Sequence, residues 1–330
     1  SSFKNFLPRF TATWLASDTL TYYAQYAKGN KPGGFNTDAE NARIQPADRA
    51  ALATLGLRSF DEEEADSFEI GFKSRLFDRR VQLNTALYLI DWTNQQLTQT
   101  GPVLEEGRPV GAPTQPQFGT SYTANLGKSE VRGVEMEMLA ALGPHWNLRM
   151  TYAYQDAKIK EYFSSDQADL IFSGPYTGCI AGSQCYADYL AAGDLGGNVL
   201  PRVPKHLASA SLAAKYPLGS WGTFNWRADY SYEASRYVQV HNLAETGDAH
   251  VVNMRLGIER DAWSATLWVN NLTDDDTVID VMRTVNPGVF LVVPVQPPLP
   301  GTVSATNPRD FAVTLADRRM FGLTLMYRFR

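Results

Sequence analysis

No stretch of this 330-residue chain stays apolar for long. Hydrophobic residues make up 44% of it, yet no run reaches the roughly 18 apolar residues that a membrane-crossing helix needs. The longest candidate, GVFLVVPV from Gly288, is too short and contains Pro294, so no helical span is expected. Basic clusters are missing as well. Lys and Arg number 30 against 35 Asp and Glu, for a net charge of -5, and no segment carries the basic stripe of a nucleic-acid partner. The four histidines, His145, His206, His241 and His250, are scattered, and no metal site is expected from them. The opening SSFKNFLPRF has no charged head, apolar core or cleavage site. Two expectations follow from that opening: the chain stays in the cytoplasm, or its beginning is absent.

Cysteine is scarce too. Cys179 and Cys185 are the only two, both in the polar stretch SGPYTGCIAGSQCYADYLAAGD. A short loop disulfide, worth roughly 2 kcal/mol by chain entropy, is the better reading and would place the stretch in an oxidising compartment; two free thiols are the alternative. Zinc is disfavoured because no histidine is near. Nothing points to an enzyme or to a cofactor. Asp274-Asp275-Asp276 lacks the Gly and distal Glu of a calcium loop and reads as a charged strand end, and nothing resembles a nucleophile elbow.

What the chain has in abundance is alternation with a period of two. Leu20, Tyr22, Ala24 and Tyr26 oppose Thr21, Tyr23 and Gln25; Phe68, Ile70 and Phe72 oppose Glu69, Gly71 and Lys73. Val134, Met136 and Met138 oppose Gly133, Glu135 and Glu137, and the chain closes with Phe321, Leu323, Leu325, Tyr327 and Phe329 opposing Gly322, Thr324, Met326 and Arg328. About eleven such strands can be counted, from near Phe10–Ala16 to Phe321–Phe329. Helical spacing is hardly visible. Connections alternate like the faces: tight turns near 17–18, 78–80, 143–145, 217–222 and 260–262, and long polar loops at 29–64, 100–119, 162–204 and 274–317, with a shorter one at 241–249.

A soluble sandwich would keep its loops short at both ends. Here one face is Gly-, Thr-, Ser- and Asn-rich, the other carries aromatics at strand ends, and long loops occupy one side only. That is the pattern of an all-β, antiparallel transmembrane barrel with lipid outside and a wet lumen. Parity adds a constraint. The first strand leads into a short turn and the last ends on the same side, so both run the same way and the count is odd. Closing that sheet would pair its ends in parallel, and leaving it open would expose backbone groups to hydrocarbon. A further odd number of strands is expected before Ser1. A missed single strand in 274–317 would reverse that parity.

Several stretches resemble the C-terminal part of TonB-dependent outer-membrane receptors: FLPRFTATW with LTYYAQYAKGNKPGGFN, then SFEIGFKSRLFDRRVQLNTALYLIDWTNQQL, SEVRGVEMEMLAAL, LPRVPKHLASASLAAKY, WVNNLTDDD and the closing RRMFGLTLMYRF. The family folds as a 22-stranded barrel occluded by a plug. The resemblance therefore implies that residues 1–330 form the C-terminal half of such a barrel in a bacterial outer membrane, with the plug domain and N-terminal strands absent from this chain. It implies TonB-dependent import of a scarce ligand, whether a siderophore, metal chelate, vitamin or carbohydrate. The implied partners are outer-membrane lipid and, through the plug region, the TonB–ExbB–ExbD complex. An ungated porin-like channel is the alternative. By alternation Glu69, Glu135 and Glu137 face the lumen, and the resemblance implies that they contact the plug. Against this stands the plainer reading of hydrated wall residues balanced by Lys73, Arg75 or Arg149. Ligand capture would fall to loop residues: Lys31, Phe35, Tyr162, Tyr176, Tyr186, His241 and Arg283.

Overall fold

Alternating sequence becomes one continuous sheet in the computed structural model, which describes residues 5–36, 59–103, 118–164, 167, 184–285, 291–294, 303–306 and 309–329. In chain order the strands are β1 (Arg9–Ser17), β2 (Leu20–Lys31), β3 (Gly34–Phe35), β4 (Ser59–Phe60), β5 (Glu63–Leu76), β6 (Val81–Val103), β7 (Phe118–Ala141) and β8 (Trp146–Tyr162). They continue as β9 (His206–Pro217), β10 (Thr223–Glu233), β11 (Ala249–Arg260), β12 (Trp263–Asn270), β13 (Val278–Val285), β14 (Leu291–Pro294), β15 (Val303–Thr306), β16 (Arg309–Leu315) and β17 (Met320–Tyr327). A helix, α1 (Gln184–Gly193), lies in the cysteine loop. The sequence reading had no helix there, because only ten residues carry the pattern and their amphipathicity is weak.

The wall is an 11-stranded sheet in the order β1-β2-β5-β6-β7-β8-β9-β10-β11-β12-β17, with every neighbouring pair antiparallel. The last long loop, where a missed strand would have changed the count, contains β13 paired with β16 and β14 paired with β15. These ribbons pair among themselves, so the wall keeps its odd number. Consequently β1 and β17 form the two ends of the sheet and run in the same direction.

Register brings the apolar sets of successive strands onto one face. The rungs Phe10↔Tyr26↔Phe68↔Leu89 and Trp14↔Tyr22↔Phe72 cross the first strands, and Leu256↔Leu267↔Leu323 crosses the last. In water such a face would be an aggregation surface; in a barrel it meets lipid. Two aromatic levels bracket it. At the tight-turn end the Trp146 indole N–H donates to the Tyr216 hydroxyl at 2.6 Å, and the Trp146 and Trp226 rings lie 5.5 Å apart. At the loop end Tyr26 packs on Phe68, and Tyr152, Tyr154, Tyr230 and Tyr232 surround His206 and His250. Trp146 to Tyr154 on β8 matches the roughly 9–11 residues with which a tilted strand crosses hydrocarbon. β6 and β7 have 23 and 24 residues, so their hairpin stands well above that level.

Turn chemistry explains why one side is tight. Phe77, Asp78 and Arg79 all take positive φ (53°, 55° and 65°) between β5 and β6, and Gly143 opens the β7–β8 turn at φ 136°, a value natural to glycine.

Candidate functional site

The polar face carries charges of both signs. On β5 to β7 Glu69 stands opposite Tyr88, Glu135 between Ala86 and Ala153, and Glu137 between Asn84 and Thr151, with Lys73 on the far side of Asn84. Tyr23 donates its phenol O–H to Glu69 Oε1 at 2.7 Å. Tyr23 also covers Gly71, and Tyr88 covers Gly133. A Cβ at Gly71 would sit 2.7 Å from the Tyr23 hydroxyl, and one at Gly133 would sit 2.5 Å from the Tyr88 hydroxyl. Each glycine lets a tyrosine lie flat along the wall, and in the case of Tyr23 reach a neighbouring carboxylate.

Arginines gather on β8 to β11, with Asp229 among them. Arg149, Ser211, Asp229 and Asn253 form one rung, and Ala213, Arg227, Arg255 and Trp268 the rung beneath. Arg227 grips Asp229 at 2.8 Å, and Arg149 reaches across to Glu137 at 3.3 Å. Of the three cations named as counter-charges from the sequence, Arg149 makes this contact, while Lys73 lies over the Tyr23 ring at 5.8 Å. Among the described residues Glu135 has no cation within ion-pair distance. Sequence reading did not single out Arg227 and Arg255. Their alternation marks them as polar-face residues, but only the register shows that they stand side by side.

Above the wall, amides pin the loops. The Glu63 carboxylate, buried to 7% exposure, accepts from the Trp92 indole N–H at 2.8 Å and the Gln96 backbone N–H at 2.7 Å. The Gln96 side-chain amide donates to the carbonyls of Pro32 and Asp61. Asn36, just after β3, and Thr123 on β7, 87 residues on, exchange two hydrogen bonds of 2.7 and 2.8 Å. On the other side Asn242 exchanges bonds with the backbone of Val199. A loop backbone that lacks a strand partner must find its partners in side chains, and Asn and Gln carry donor and acceptor together.

The last loop is clasped at its foot. Arg318 donates to Asp274 at 3.0 Å and Asp276 at 2.9 Å, and the Arg319 backbone N–H donates to Asp274 at 2.8 Å. Beneath the clasp the buried Asn271 joins Asp275 to Asp317. The Arg319 N–H and the neighbouring arginines hold the Asp274 carboxyl below the usual range, and hydrogen bonds from Thr277 and the His250 N–H do the same for Asp275. Depressed carboxylates stabilise above their unfolded pKa of about 3.9, and that contribution is lost as pH falls through the lower folded value. Hydrogen exchange of the Arg319 and Thr277 amides should therefore stay slow from pH 7 down to about 4. It should accelerate only below that, after correction for intrinsic exchange; acceleration already at pH 5 to 6 would contradict the clasp.

The loop residues named from the sequence are dispersed. Phe35 is 65% exposed and Lys31 ends β2. Tyr162 is 9% exposed, packed with Ile159 and Leu195 in the one cluster of buried apolar residues among the described residues, and His241 is 8% exposed. Arg283 sits on β13 opposite Phe311, and Tyr186 lies on α1. Cys185 is disulfide-bonded, whereas Cys179 and Tyr176 lie outside the described residues. No cluster of metal-ligating side chains occurs among the described residues.

Comparison with known proteins follows the same lines. The probable TonB-dependent siderophore receptor PiuA of Acinetobacter baumannii is 23% identical over 197 residues, which are 60% of this chain and 21% of that protein. The ferripyoverdine receptor of Pseudomonas aeruginosa is 22% identical over 182 residues, 53% of this chain and 19% of that protein. The crystal structure of the ferric yersiniabactin uptake receptor FyuA of Yersinia pestis superposes with a TM-score of 0.63 at 16% identity, over 98% of this chain and 37% of that one. The chain thus spans a minor part of the length of the proteins it matches. The family model for a TonB dependent receptor-like β-barrel matches residues 1–272, and the chain belongs to that family of outer-membrane receptor barrels.

Proposed function

We propose that this chain is the C-terminal part of an outer-membrane receptor that imports a siderophore by TonB-dependent active transport. The observation that carries the reading is the charged polar wall. A lumen carrying Glu69, Glu135, Glu137 and Lys73 on β5 to β7 and Arg149, Arg227, Arg255 and Asp229 on the strands that follow suits a charged protein domain seated inside more than a uniformly hydrated pore. Among the described residues Glu135 in particular has no cation within ion-pair distance, and a carboxylate in a partly dried lumen is stabilised by one. In this reading an arginine of a plug supplies it. The relatives that bear descriptive names are siderophore receptors, which favours that ligand class over a vitamin or carbohydrate. The rest of the barrel joins at the edges of β1 and β17, the plug region carries the contact to TonB–ExbB–ExbD, and Lys31, Phe35 and Arg283 belong to the loops through which ligand enters.

Uptake of a radiolabelled ferric siderophore by iron-starved cells, with and without tonB, tests the reading, together with bilayer conductance of the purified protein. Import should require TonB, and the protein should be nearly silent in bilayers. Replacing Glu135 and Glu137 together by Gln should raise conductance and detergent sensitivity. TonB-independent uptake with continuous conductance would instead identify an ungated porin-like channel.

A further inference from the structure

The outward face carries the same constellation twice. On β8 and β9, Tyr152 and Tyr154 flank His206, with the Tyr152 hydroxyl 3.0 Å from His206 Nδ1. On β10 and β11, Tyr230 and Tyr232 flank His250, with the Tyr230 hydroxyl 2.9 Å from His250 Nδ1. Tyr154 stands opposite His206 and Tyr232 opposite His250, and Tyr152 and Tyr232 are both opposite Ala208. The two imidazoles therefore share one face, two strands or about 10 Å apart, at the loop end of the apolar band. Lys205 joins them, its ammonium 5.8 Å from the centre of the Tyr154 ring.

Each phenol engages Nδ1, and among the described residues neither Nε2 has a hydrogen-bond partner. When the phenol donates, Nε2 carries the proton and is itself a donor. The acidic groups nearby have partners of their own. Asp156 is held by Arg132 at 2.8 Å, Glu233 by Arg236, and Asp275 accepts the His250 backbone N–H at 2.7 Å. Lys205, among the described residues, has no carboxylate partner. Donors are thus uncommitted while acceptors are committed, at the height where lipid headgroups lie. Tyrosines at this level are ordinary for a barrel girdle; two histidines on that face with a lysine ammonium beside one of them are not explained by it.

We infer that Lys205 with His206, and two strands away His250, bind the phosphate groups of outer-leaflet membrane lipids, whose chains lie against the apolar face below. The lysine supplies the charge, and the imidazoles, set by Tyr152 and Tyr230, supply directed donors.

Native mass spectrometry of the protein isolated from outer membranes, delipidated in neutral detergent and incubated with dioleoyl phosphatidic acid or with dioleoylglycerol, tests this site. Phosphatidic acid adducts should persist and dioleoylglycerol adducts should not. The combined Lys205→Gln, His206→Leu and His250→Leu variant should retain phosphatidic acid about tenfold less, as expected when charge-assisted hydrogen bonds are lost. Lys205→Glu alone changes only an exposed side chain and should cut retention several-fold, with the unheated gel mobility of the folded barrel unchanged. Equal retention of the two lipids, or wild-type retention in both variants, would overturn the assignment.

Discussion

Leu323→Arg should destabilise the membrane-inserted protein by about 2–4 kcal/mol, the cost of a guanidinium at the middle of a barrel's lipid face. Leu323 stands opposite Leu267, which stands opposite Leu256, on the apolar face. It lies four residues above Tyr327 at the tight-turn end, near mid-membrane. The adjacent residue gives the control. Thr324 points to the other face, opposite Thr266 and accepting from the Trp268 indole N–H at 3.2 Å. Thr324→Arg loses one hydrogen bond, which contributes about 1 kcal/mol, and places its charge in the wet lumen. Urea unfolding in lipid vesicles should separate the two variants by at least about 1 kcal/mol. Equal destabilisation would mean that the faces of β17 are not lipid and lumen.

That contrast between neighbouring residues was legible in the sequence, because alternation depends only on the strand itself. The wall strands, their tight turns and their odd number were read from apolar period and turn residues, and the β13–β16 and β14–β15 ribbons left the parity intact. The glutamates of the polar face were legible in the same way, since Glu69, Glu135 and Glu137 lie on the polar parity of their own strands. What escaped is what depends on two strands at once. Arg227 and Arg255 become neighbours only through the β10–β11 register, and the two Tyr–His sets only through β8–β9 and β10–β11. Tyr162 looked like a loop aromatic, but Leu195 returns from the loop to cover it: its N–H donates to the Tyr162 carbonyl at 2.9 Å. α1 escaped for a different reason. Short helices with weak amphipathicity draw their stability from what they pack on, and period alone does not reveal that.

WVNNLTDDD shows how a motif recognised only as a string acquires a cause, and its centre gives the second large expected effect. Asn271 adopts φ 51° immediately after β12, a left-handed conformation that asparagine tolerates better than most residues. It is 5% exposed. Its amide nitrogen donates to the carbonyls of Asp275 at 2.8 Å and Asp317 at 2.7 Å, its amide oxygen accepts the Asp275 N–H at 2.8 Å, and its own N–H donates to Asn253 Oδ1 at 2.9 Å. One side chain therefore stitches the start of the last long loop to its end, directly beneath the Arg318 clasp. Asn271→Ala strands two carbonyls and one N–H in a buried place, at about 1–3 kcal/mol for each group left unsatisfied, and adds the strain of a β-carbon without a compensating polar group at positive φ. A loss of about 3–5 kcal/mol in the protection of this loop foot is expected. Asn271→Gly relieves the backbone but not the hydrogen bonds, so it should recover less than about 1 kcal/mol. Asn271→Asp keeps shape and acceptor but turns a carboxylate oxygen toward two carbonyls, and it should be as damaging as alanine. Hydrogen exchange at Asp275 and Arg319 ranks the three variants. If glycine restored most of the protection, the residue would serve for its backbone conformation, and the stitch between the two ends of the loop would contribute little.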